Sequence, residues 1–178
     1  MRDQRSYFEK ADFQSDLPFQ LLMAVLGLTL VLLELAVAQW PVFHGSAPNL
    51  SLIFIYGMII FHGKYMPIFT IFLMGISGDF LLSDLLGGRA MSFMLLAYVM
   101  QFRLARLLQS DFGQLWVDFV VSFTAVSLFQ LLLFSAVNFA IPSLSPILFQ
   151  IGVTLILFPI GFVLIFAVHR LLQKVNMV

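Results

Sequence analysis

Polar positions along the chain gather into short clusters, and the stretches between them are apolar runs: Leu17–Trp40, Pro48–Phe61, Met66–Leu86, Ala90–Phe102, Leu115–Ala140 and Ile147–Val168. Each predicts a helix. A hydrocarbon core about 30 Å thick asks for about 20 helical residues, which the first, third, fifth and sixth runs supply. On length alone the second and fourth are re-entrant or buried segments as readily as crossings.

The positions of the charges favour six crossings. With both termini inside, the cytoplasmic side holds Arg2, Arg5, Lys10, Lys64, Arg103, Arg106, Arg170 and Lys174, and the outer side holds Arg89 alone. That is the asymmetry expected of cytoplasmic loops. If one short segment failed to cross, the termini would lie on opposite sides and the separation would degrade. The expected architecture is therefore an all-α integral membrane protein, a six-helix transmembrane bundle with both ends cytoplasmic. Residues 1–16 form a cytoplasmic leader and residues 17–178 a single membrane domain. The fourth helix fits if it continues through Leu104, Leu107 and Leu108, with Arg103 and Arg106 snorkelling to the headgroups. Ala36-Val37-Ala38 has the form of a signal-peptidase site. The run before it exceeds a signal core and the leader carries Asp3, Glu9, Asp12 and Asp16, so retention as the first helix is expected.

Composition excludes the soluble classes. Apolar residues make up 61% of the chain and charged residues 10%, against about 25% charged in an ordinary soluble domain. Mean hydropathy is +1.03. Nine bases balance nine acids, so no basic excess points to nucleic acid, and the absence of cysteine removes disulfides and thiolate chemistry. The outer loops Pro41–Ala47 and Ile141–Ser145 are too small to house an active site. No phosphate loop, G-x-S-x-G or H-E-x-x-H occurs, and His44, His62 and His169 fall at separate helix ends, so no enzyme activity, cofactor or metal site is expected.

The informative residues are the polar ones inside the runs. At 100° per residue Gly75, Gly78, Asp79 and Leu82 share one helix face. Glycines let a neighbouring helix approach where lipid offers no hydrophobic drive, so Asp79 is expected on a packed face. A carboxylate there costs about 3 kcal/mol on insertion scales. It either bonds the backbone or a polar group of the adjoining helix, carries a proton or ion, or meets a partner. Glu34 lies six residues, about 9 Å, before Trp40. It either reaches interfacial water or pairs across the bundle with Arg89, for which Asp79 and Asp84 compete beyond the Gly87-Gly88 turn. In the fifth helix Gln130 and Asn138 read as buried amides, Ala136 and Ala140 as a close helix contact, and Asp118 as the partner of the Arg103 and Arg106 face. Pro159 and Gly161 predict a kink in the sixth.

Ala47-Pro48-Asn49-Leu50, a short helix ending near Tyr65, and Gly75-x-x-Gly78-Asp79-x-x-x-x-Asp84-x-x-Gly87 followed by Ala90 form a pattern that resembles the MreD family. These rod shape-determining proteins are small inner-membrane components of the bacterial cell-elongation machinery. The resemblance implies a non-enzymatic scaffold in the inner membrane that binds MreC. Through MreC it would connect to MreB, to the RodA glycan polymerase and to its penicillin-binding transpeptidase, in control of cell shape and lateral peptidoglycan synthesis. It also implies a helix arrangement similar to the substrate-binding subunits of energy-coupling-factor transporters, which keeps a small-molecule-binding transporter subunit as the alternative. Such subunits carry an A-x-x-x-A contact in the first helix. Here the positions four after Ala24, Gly27, Thr29, Ala36 and Ala38 are Leu28, Val31, Leu33, Trp40 and Val42, which favours the scaffold. Gly75, Gly78, Asp79, Asp84, Gly87, Glu34 and Arg89 are the candidates for structural or partner contacts. Membrane lipid is the surrounding partner, and a homo-oligomer stays open.

Overall fold

A computed structural model describes residues 17–41, 47–62, 66–82, 85–139, 142 and 144–175. They form six helices: α1 Leu17–Ala38, α2 Leu50–His62, α3 Ile68–Leu81, α4 Gly88–Leu107, α5 Phe112–Asn138 and α6 Leu144–Val175. Each apolar run becomes one helix. The leader 1–16, His44, Asp84 and Ala140 lie outside the described residues, as do the side chains of His62 and His169.

By length and composition α1, α5 and α6 can cross a membrane. With 13 and 14 residues, α2 and α3 are each about 20 Å long and do not span the hydrocarbon by themselves. α2 is buried on every side from Ser51 to Ile60 and packs against α1, α4 and α6. Its sequence is apolar all round because all of its surface faces other helices. Tyr56 at its middle meets Phe119 of α5 and Phe158 of α6 edge-on, and those two phenylalanines stack with ring centroids 4.0 Å apart.

α3 pairs with α1 and α4, and α5 with α4 and α6. The outward faces are rich in exposed leucine, phenylalanine and valine, among them Leu21, Leu32, Phe80, Phe102, Leu132 and Ile156. Water does not tolerate such an exterior and a bilayer does.

Several details differ from expectation. α3 stops at Leu81, short of Leu86: the Leu82 N–H makes the last i→i−4 bond, to the Gly78 carbonyl, and Gly87 before α4 takes a left-handed φ of 87°. α4 runs on as expected, with the Leu108 N–H bonded to the Leu104 carbonyl. α5 ends at Asn138 and Ala136 is exposed, while its expected companion Ala140 lies outside the described residues. Asn138 is exposed as well, its amide donating to the Phe134 carbonyl at 3.1 Å, and Gln130 is half-buried. α6 continues through Pro159, and a Cβ at Gly161 would lie 2.8 Å from Ile53, so the glycine admits α2.

Candidate functional site

A helix that begins in apolar surroundings leaves its first N–H groups without water, and each needs an acceptor. Asp79, near the end of α3, supplies them for α4. Its Oδ1 accepts from the Arg89 N–H at 3.0 Å, and its Oδ2 accepts from Gly87 at 2.9 Å and Ala90 at 3.4 Å. The carboxylate also sits at the positive end of the α4 dipole. Gly75 and Gly78 allow this approach: a Cβ at Gly75 would collide with the Ala90 backbone, and one at Gly78 would lie 2.8 Å from Arg89 Cδ.

Glu34 of α1 does the same for α2. Its Oε1 accepts from the Ser51 N–H at 2.6 Å and the Ser51 hydroxyl at 2.8 Å. Asn49 caps the same helix through its side-chain oxygen, which takes the Leu52 N–H at 3.1 Å. The Asn49 N–H in turn reaches the Thr154 hydroxyl of α6 at 3.0 Å, and that hydroxyl donates to the Gln150 carbonyl. The other oxygen of Glu34 takes Arg89 Nη1 at 2.7 Å, with the side chains 1% and 6% exposed. One network therefore joins α1, α2, α3, α4 and α6 at one end of the bundle. Toward the other end, Arg103 Nη1 pairs with Asp118 Oδ1 at 2.9 Å, and the Tyr56 hydroxyl lies 3.1 Å from Asp118 Oδ2 and from the Leu115 carbonyl.

Of the residues singled out in the sequence, Glu34, Asp79, Gly75, Gly78, Gly87 and Arg89 come together, while Asp84 lies outside the described residues. Asp79 meets Arg89 through the backbone N–H, and Glu34 takes the guanidinium. Asn49, Ser51 and Thr154 are the members that sequence reading missed. Asn49 carried a signal, since an Asn one position before a helix is a preferred cap. Ser51 and Thr154 are single hydroxyls within apolar runs and carried none.

Beside the network a cleft of about 220 Å³ opens between the α3–α4 turn and α5 and α6, lined by Asp79, Arg89, Ser127, Gln130 and Gln150 among others. This is smaller than the 300–1,000 Å³ typical of small-molecule pockets. The bonds that the buried charges make are local: they close helix ends and bind helices to one another.

Fold and network together define a helical membrane protein whose intramembrane charges hold its own helices. A family model described as rod shape-determining protein MreD matches residues 16–175, so the chain belongs to the MreD family, whose role is rod shape determination. No curated protein and no solved structure matches it.

Proposed function

We propose that the chain is a non-enzymatic scaffold of the cell-elongation complex in the bacterial inner membrane, crossing it six times with both ends cytoplasmic. Its direct partner is MreC, and through MreC it is tied to MreB, RodA and the elongation penicillin-binding protein. The observation that carries this reading is the use of Glu34, Asp79 and Arg89 inside the bundle. Groups bonded this way stiffen a platform, and they leave apolar helix faces as the surface for recognition, where close packing supplies most of the association energy.

The membrane carboxylates of a ligand-binding transporter subunit would instead face an enclosed pocket large enough for a vitamin. Copurification of a tagged chain from its own membranes, with mass-spectrometric identification of what accompanies it, tests the choice. MreC in stoichiometric amount supports the scaffold. A tightly held small molecule together with coupling subunits of a transporter, and no MreC, overturns it.

A further inference from the structure

At the opposite end of the bundle from the Glu34 network, the last turns of α4 and the first turns of α5 part around a cleft of about 410 Å³. Its mouth is polar, lined by Arg103, Arg106, Ser110 and Gln114. From Gln114 the wall continues up α5 through Val117, Asp118 and Val121; with Asp118 paired to Arg103, Val117 and Val121 supply an apolar strip on the helix face of Gln114. Asp118 pins Arg103 in place and is itself neutralised by it, which leaves Arg103 Nε and Nη2 for another acceptor. Among the described residues Arg106 has no carboxylate partner, and Asp111 at the start of α5 is not part of the wall. Two arginines against one aspartate give the cleft a net positive charge. Exposed Phe112 and Trp116 on the first turns of α5 are the aromatic residues expected at headgroup depth.

We propose that this cleft holds an anionic phospholipid, its phosphate on Arg106 and Arg103 and one acyl chain along Val117 and Val121. The charge selects an anion, and the apolar continuation selects an amphiphile over free phosphate or an acidic protein segment. The inference does not depend on MreC binding.

Native mass spectrometry of the full chain in nonionic detergent tests it, with phosphatidylglycerol and phosphatidylcholine of the same chain length as probes. Phosphatidylglycerol should be retained in preference. Arg106→Gln should lower that retention about fivefold, the effect of the roughly 1 kcal/mol that one base contributes near an anionic surface. Arg106→Lys, which keeps the charge, and Arg170→Gln, on the same side but outside the lining of the cleft, should each hold it within twofold. Equal retention of the two lipids, or equal loss in Arg106→Gln and Arg170→Gln, overturns the proposal. So does dihexanoyl phosphatidylglycerol or inorganic phosphate competing as well as the long-chain lipid, since the acyl contact would then contribute nothing. Displacement by a glutamate-rich peptide at lower concentration than by lipid would assign the cleft to an acidic protein segment instead.

Discussion

Asp79 accepts three backbone N–H groups at the start of α4 with two oxygens, and its side chain is buried. Asp79→Leu should therefore destabilise the bundle by about 3 kcal/mol or more, from several donors left unsatisfied in apolar surroundings. Asp79→Asn keeps one acceptor oxygen at the helix start and should lose about 1 kcal/mol. Folded yield on gel filtration and thermal unfolding in detergent would show the order. Equal behaviour of the two variants would mean that the carboxylate caps nothing. The Glu34–Arg89 pair is a second contact whose loss can be measured. Removing one partner of a buried pair commonly costs about 3–5 kcal/mol, because the other charge stays behind, whereas removing both costs far less. Glu34→Leu and Arg89→Leu should each lower thermal stability, and the double variant should lie well above their sum, with a coupling of at least about 1 kcal/mol. Additive losses would show that the two side chains do not act as a pair. Much of this was legible in the sequence. A carboxylate on a glycine face must meet a neighbouring helix, and a lone outer base draws the nearest acids. What the sequence did not disclose is that Asp79 serves backbone and Glu34 the guanidinium, because that division depends on where α4 starts. Thr154 was invisible because it meets Asn49 from 105 residues away.

α3 and α4 make the tightest helix contact, and the two glycines on it are not equivalent. At Gly75 an added side chain meets the Ala90 backbone, which cannot move without moving α4, while at Gly78 it meets the Arg89 side chain, which can swing. Gly75→Leu should abolish or strongly reduce folded protein, and Gly78→Leu should reduce it less while weakening the Glu34–Arg89 pair. The reverse ranking, or wild-type yields from both, would place the stripe away from α4. Six helices and their order follow from the runs of apolar residues alone. The lengths do not. α3 makes its last i→i−4 bond at Leu82 and the chain turns at Gly87, and Leu85 and Leu86 look like helix only when hydropathy is read without the turn. The exposure of Asn138 has a similar origin: the apolar run continues past the end of α5, so hydropathy alone does not separate its last exposed turn from core.

At the scale of the molecule, buried polarity lies inside and apolar surface outside, with α2 as the buried centre, packed against α1, α4 and α6. The short α2 and α3 fit such a bundle because their ends are closed by Glu34, Asn49 and, for the turn after α3, Asp79. Topology reporters fused after Val178 and within residues 45–47 should report a cytoplasmic carboxyl terminus and an external first loop. An external carboxyl terminus would contradict the six-crossing arrangement that the charge asymmetry supports. The central claim is that a bundle locked from within offers its apolar helix faces to MreC. Site-specific photocrosslinking in living cells tests it most directly, with the crosslinker placed in turn at exposed positions of each helix, such as Leu32, Phe80, Tyr98, Val121 and Ile160, and at buried Met58 as a control. A contiguous set of positions on one or two helices should capture MreC and the control should not. Crosslinks to lipid alone from every exposed position, in a chain that is folded and expressed normally, would contradict the account.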